Sequence, residues 1–202
     1  MTTITTTMPV ATTGMTIPTV IKSIALLAST DAARSILCTV RFERNDEGNL
    51  RLVATDSYKL GQLDTTIDVG EFEPFQLSVA DLTNAIKVMG AKAPTYAMVI
   101  HAEHRQVEFI GHGSITLSYA EGEYPNVANI WPHADKVVDG VAFAFAFDHM
   151  MLICKAAKTL DPKGVHPLRY VGAETNLKPQ LLRTVVQDVG VLDVILMPVR
   201  VP

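Results

Sequence analysis

The chain has 202 residues, a formal net charge of −4 and 48% hydrophobic residues, enough length and apolar material for one large or two small domains with a real core. No apolar run reaches the length of a membrane span, and the Thr-rich start from Met1 to Thr16 lacks the cationic and apolar regions of a signal peptide. The mildly acidic balance argues against a protein that coats nucleic acid by bulk charge, and two cysteines set in apolar patterns, Cys38 and Cys154, argue against a disulfide framework or a metal site and for a cytoplasmic protein.

The start reads as a flexible arm, assigned to residues 1–14. From Ile17 the pattern predicts a helix, with Pro18 in its first turn and Val20, Ile21, Ile24, Leu27 and Ala28 on one face. Ser35 to Arg44 alternates as a strand, with Ile36, Cys38, Val40 and Phe42 on one side. Asn45 to Asn49 is a turn by composition, and Leu50 to Thr55 is its hairpin partner. Asp56-Ser57 ends that strand, because short side-chain oxygens cap nearby backbone donors. Tyr58, Lys59 and Leu60 then stand side by side at a surface step, and a third strand runs from Gly61 to Val69.

The pattern restarts with a short strand at Phe75 to Leu77. Ser78 with Asp81 forms a capping box, and Val79, Leu82, Ile86 and Met89 make the next apolar stripe, ended by Gly90 and Pro94. Met98 to Ala102, Gln106 to Ile110 and Ser114 to Ala120 are three further strands. After a linker at residues 133–140 a third round begins. Val141 to Phe147 is an apolar strand, Asp148 an N-cap, and Met151, Leu152, Lys155, Ala156 and Lys158 continue as a helix. Asp161-Pro162-Lys163-Gly164 breaks it, and His166 to Gly172, Leu181 to Gln187 and Val191 to Val199 complete three more strands. The element order therefore repeats with a period of about sixty residues.

Three segments carry a resemblance. Ala54-Thr55-Asp56 with Lys59-Leu60, then Glu121-Gly122-Glu123-Tyr124-Pro125-Asn126 with Ile130-Trp131-Pro132, then Met197-Pro198-Val199-Arg200-Val201 occur in order. Together they resemble motifs of the bacterial DNA polymerase sliding clamps, the beta subunit of the replicative polymerase. The resemblance implies an α+β fold of repeated β-α-β-β-β modules, three of them in this chain. Residues 15–132 are similar to the clamp middle domain of two modules, and residues 141–202 to the second half of the last domain. It further implies a DNA polymerase processivity factor that acts in DNA replication without being an enzyme and without a cofactor. Its partners would be duplex DNA, peptides of the polymerase and clamp loader, and further copies of the chain in a homo-oligomer.

By the same resemblance the helices would face DNA and make sequence-independent phosphate contacts through Lys22, Lys87, Lys92, Lys155, Lys158 and Lys163. Arg34, Leu37, Thr55, Ser57, Tyr58, Lys59, Leu60, Pro132, Met197, Pro198, Val199 and Arg200 match the positions of the clamp's peptide-binding groove. Leu37, Leu60, Pro132 and Val199 give an apolar floor for aliphatic or aromatic anchors, and Met197 adapts its shape. Lys59 stands where the family usually has Arg, and Tyr58 where it has a smaller or His-like residue. Enzymatic readings are poorer. His101 and His104 have no nearby acid to complete a ligand set, Gly111-His112-Gly113 is not followed by the Lys-Ser/Thr of a phosphate loop, and Ser57 has no nucleophile elbow. The alternative to a ring is a clamp-like binding or regulatory protein that keeps the groove alone and competes for clamp-binding peptides.

Overall fold

The computed structural model describes residues 13–90, 94–131, 145–163, 167–175, 178–186 and 188–198. Strand β1 (Thr13–Pro18) leads into a 3-10 helix at Thr19–Leu27. A second 3-10 segment, Ala32–Cys38, precedes β2 (Thr39–Arg44), β3 (Asn49–Thr55) and β4 (Lys59–Asp68). The same order recurs in β5 (Phe75–Ser78), α1 (Val79–Val88), β6 (Thr95–His101), β7 (Gln106–Ile110) and β8 (Ser114–Ser118). Helix α2 (Phe147–Leu160) and strands β9 (Arg169–Gly172), β10 (Gln180–Val186) and β11 (Gly190–Leu196) follow. The expected linker and most of the strand expected at Val141 to Phe147 lie outside the described residues, and Phe147 opens α2 instead of ending a strand.

Among the described residues every pairing is antiparallel, in two sheets ordered β1-β6-β7-β8 and β5-β2-β3-β4-β11-β10-β9. The first strands of the two complete rounds are exchanged, β1 lying on β6 and β5 on β2. Thr13 and Gly14, expected from sequence to end an arm, thus belong to the smaller sheet. The last three strands extend the sheet of the first round. There β11 pairs with β4 from Leu196 opposite Lys59 to Gly190 opposite Thr65.

Local chemistry explains where the helices differ from expectation. Residues Thr19–Leu27 are a 3-10 helix, not an α-helix, and its buried isoleucine and leucine side chains, Ile21, Ile24 and Leu27, recur at every third position. That is the period at which 3-10 side chains align, and β-branched Thr19, Val20, Ile21 and Ile24 give the tighter form little competition from the α form. Pro18 flanks the helix as its N-cap, and offers no side-chain cap. In α1 Ser78 caps the helix as expected, and Asp81 answers to the Ser78 hydroxyl in place of its backbone N–H, half of the expected capping box. The Asp81 N–H donates to Ser78 Oγ (3.0 Å), whose hydroxyl donates to the Asp81 carboxylate (2.8 Å). In α2 the N-cap is Ala146, and Asp148 lies in the first turn, where its charge meets the helix dipole.

The larger sheet has two different faces. Leu50, Leu52, Ala54, Leu63, Leu192, Val194 and Leu196 point to the helix side and share one core with Ile21, Ile24, Leu27, Ile153, Ala156 and Leu160. The 3-10 helix sits so close that a Cβ on Gly61 would lie 2.1 Å from Leu27 Cδ1. On the outer face directly opposed pairs lock the register. Arg51 Nε donates to Asp64 Oδ1 (2.6 Å), and Arg183 donates from Nε and Nη2 to the two Asp193 oxygens (2.5 and 2.6 Å). Asp64 also accepts from Asn45 (3.2 Å) and Gln62 (2.7 Å).

Gly190 opens β11 with φ +142, and a Cβ there would lie 2.0 Å from the Asp64 carbonyl oxygen. Gly190→Ala must therefore push β11 off β4 at its first pair, and a loss of about 2 kcal/mol or more in urea unfolding is expected. An unchanged midpoint would mean that this close approach is not needed.

Candidate functional site

Strand β3 stops at Thr55 and β4 starts at Lys59, and the turn between them satisfies its own donors. The Asp56 N–H and the Thr55 hydroxyl both donate to the Lys59 carbonyl (3.2 and 2.7 Å). Asp56 Oδ1 accepts from the N–H groups of Tyr58 (2.9 Å) and Lys59 (2.8 Å), as expected of an Asx turn. Ser57 adopts φ +80, a left-handed conformation rare for a residue with a side chain. Its N–H donates to Thr55 Oγ1 (3.2 Å), and its hydroxyl oxygen accepts from Arg34 Nη1 (3.1 Å). Arg34 is itself held by Asp31 at 3.0 Å.

Lys59 departs from the expectation of a cation at the surface step. Its side chain is 2% exposed, and its ammonium donates to Asp56 Oδ2. Along β4 it shares the inward parity of Gly61 and Leu63, so strand alternation turns it away from solvent. Burial alone would raise the Asp56 carboxyl. The Lys59 ammonium and the Lys59 and Tyr58 N–H groups outweigh that and hold it below the ordinary aspartate value.

Tyr58 is left projecting at 57% exposure, and no local pattern in the sequence announces its neighbour. His149, from the first turn of α2, stacks on its ring at 5.6 Å between centroids and 21° between planes. The β4–β11 register brings up the other half of the site, where the Met197 N–H donates to the Tyr58 carbonyl (3.1 Å). Met197 is exposed and Pro198 half-buried. Beneath them Leu60 packs in a second apolar cluster with Val53, Tyr124, Leu181 and Ile195, bordered by Ile36, Val127, Trp131 and Val171. The Tyr124 hydroxyl donates to the Val53 carbonyl (3.4 Å), and burial pushes its phenol far above the ordinary value. Leu37 is buried on the second 3-10 segment. Pro132, Val199 and Arg200 lie outside the described residues.

Of the lysines assigned to DNA, Lys155 and Lys158 are exposed on α2, Lys87 is exposed in the last turn of α1, Lys163 is exposed just after α2, and Lys22 is half-buried on the 3-10 helix against which α2 packs. Lys92 lies outside the described residues. The 3-10 helix and α2 cover the face of the larger sheet opposite to Leu60 and Ile195. His101 Nε2 lies 3.5 Å from Glu108, which also accepts from the Ser114 hydroxyl (2.6 Å), and among the described residues no three His, Cys, Asp or Glu side chains gather as metal ligands. Cys154 is exposed on α2, not packed in an apolar pattern, and Cys38 is half-buried.

This architecture, two antiparallel sheets with helices laid on one side, is the sliding-clamp fold. Solved bacterial structures resemble the chain over nearly all of its length. The DNA polymerase III beta chain of Streptococcus pneumoniae matches with a TM-score of 0.67 and 18% identity, covering 96% of this chain and 67% of that one. The beta sliding clamp of C. crescentus matches at 0.70 and 15%, covering 96% and 68%, and the DNA polymerase III beta subunit of Thermotoga maritima at 0.67 and 15%, covering 97% and 68%. The chain thus spans about two thirds of the length of these clamps. At these identities the likeness is one of fold. No family model matches the chain, and no curated protein does.

The Asp56–Lys59 pair generates a test. Asp56→Ala leaves a buried ammonium without its partner and is expected to cost about 3 kcal/mol at neutral pH, whereas Asp56→Asn combined with Lys59→Met is expected to recover most of that loss. Because the folded carboxyl titrates below its unfolded counterpart, its contribution is complete above the ordinary value of 3.8 and disappears as pH falls through the lower folded value. Urea midpoints of wild type and Asp56→Ala should therefore converge in acid. A gap that stays constant from neutral pH down to strong acid would remove Asp56 as the anchor of the turn.

Proposed function

We propose that the chain is a sliding-clamp-like DNA polymerase processivity factor that holds duplex DNA without sequence preference and tethers a polymerase through the groove at the β4–β11 junction. The observation that carries this reading is the meeting of the Asp56 to Leu60 turn with Met197 and Pro198 over one apolar cluster, within a fold shared with clamps along almost the entire chain. The groove offers what a short linear peptide needs: an apolar floor around Leu60, a wall of exposed Tyr58 stacked on half-buried His149, and an adaptable Met197. Held there, a polymerase gains effective concentration at the template and no bond chemistry is required.

Lys22, Lys155 and Lys158 lie on two packed helices, on the sheet face turned away from the groove. That separation supports simultaneous use of both faces. Long lysine side chains with few fixed partners suit mobile phosphate contacts, which let a protein slide. Assembly of several copies into a ring would supply the enclosure that one chain of this size lacks, in a soluble cytoplasmic replication protein.

The test is mass by light scattering during size-exclusion chromatography, with and without primed circular DNA. A closed assembly at a multiple of the 22.0 kDa chain, retained on circular DNA and lost on linearised DNA, is the expected result. In Lys87→Glu, Lys155→Glu and Lys158→Glu variants the slope of log affinity against log salt should fall by about one for each phosphate no longer neutralised. A monomer indifferent to DNA that still binds peptide would replace the ring with a peptide-binding adaptor.

A further inference from the structure

The outer face of the larger sheet holds a cavity of about 860 Å³ that none of the roles above uses. Its apolar wall is Tyr124, Trp131, Val171 and Leu181, which pack in the same apolar cluster as Leu60 of the groove floor. Its polar side carries Arg41, Arg51 and Arg183, set against Glu43, Glu123 and Asp193.

Formal charge nearly cancels there, but hydrogen-bonding capacity does not. Both Asp193 oxygens are taken by Arg183, and both Asp64 oxygens by Arg51, Asn45 and Gln62. Glu43 Oε2 accepts from Arg41 Nε (2.8 Å), and its Oε1 faces Arg51 Nη1 at 4.0 Å. Each guanidinium carries five N–H donors, so these contacts engage one edge of each and leave the rest without a protein acceptor among the described residues. Arg41 is further fixed with its guanidinium carbon 5.7 Å from the Tyr124 ring centroid. The Asp64 and Asp193 oxygens are engaged while guanidinium N–H groups remain in surplus, and a ligand complementary to that surplus brings carboxylate or carbonyl oxygens.

We propose that this cavity binds the flank of a groove-bound peptide, taking an acidic residue against Arg41, Arg51 and Arg183 and a neighbouring apolar side chain against Trp131 and Leu181. The proposal rests on the groove reading, which supplies the anchor. Its content is a preference: among peptides with the same anchor, the chain selects those whose flank is acidic.

Fluorescence anisotropy with the full chain tests it, using labelled synthetic peptides that carry a Leu-Phe anchor. Asp-Glu-Asp or the uncharged Asn-Gln-Asn is placed before the anchor in one pair and after it in another. In one pair the acidic peptide should bind about tenfold more tightly than its amide counterpart, the size of one charge-assisted hydrogen bond. The ratio within that pair is the readout. It should collapse in Arg183→Gln, and also in Arg183→Lys, which keeps a cation beside Asp193 but loses the free guanidinium edge. Trp131→Ala should weaken both members of the pair. Equal affinities in wild type, or a ratio unchanged in both Arg183 variants, would overturn the cavity proposal and leave the groove standing. If no peptide of either pair binds, the groove reading fails and this proposal falls with it.

Discussion

The pairing of β4 with β11 is the constraint on which the rest depends. It joins the last three strands to the sheet built by the first round, carries the packing of α2 on the 3-10 helix, and sets the Met197 N–H on the Tyr58 carbonyl. Two small residues make it possible. Gly61 lets the helix layer approach β4, and Gly190 lets β11 begin against the Asp64 carbonyl. Directly opposed ion pairs fix the registers on either side of the seam, Arg51 with Asp64 between β3 and β4 and Arg183 with Asp193 between β10 and β11. A slip by one residue would turn Leu192, Val194 and Leu196 out of the core and bring Asp193 and Ile195 into it.

The sheet also separates two kinds of surface. Its inner face is sealed by helices whose outward sides bear lysines. Its outer face carries charge as matched pairs and apolar side chains in a compact cluster. The mildly negative total charge of the chain therefore describes neither surface. Among the described residues, unpaired cations, whose fields reach furthest, lie on the helix side, whereas the outer side offers shape and oriented hydrogen bonds, which are less sensitive to salt.

Much of this is legible in the sequence where the signal is local. Alternation in Leu50 to Thr55, the Asp56-Ser57 stop and the Ser78 cap all have short-range causes, and each takes the expected form. The 3-10 helix escapes notice because Val20, Ile21, Ile24, Leu27 and Ala28 fit an α stripe, while its buried apolar residues Ile21, Ile24 and Leu27 keep a period of three. The inward Lys59 is within reach, since it shares parity with Gly61 and Leu63. What hides it is the rule that lysines face water, set aside here by Asp56 three residues earlier. His149 leaves no signal, because its place beside Tyr58 exists only after distant segments pack. Cys154 adjoins Ile153 in sequence but stands about 100° away from it around the helix, off the stripe of Ile153, Ala156 and Leu160, and apolar sequence neighbours do not register that turn.

One consequence of the seam concerns time. Its two halves come from distant parts of the chain, and loop-closure entropy makes such contacts late and slow to form. During synthesis the Asp56 to Leu60 turn emerges well before Met197, with Tyr58 exposed and its carbonyl without the partner supplied by the last strand. A nascent chain thus holds one lip of the proposed groove and no second lip. Under that proposal peptide could be held only once β11 docks, so a molecule that engages peptide would be one that has finished folding.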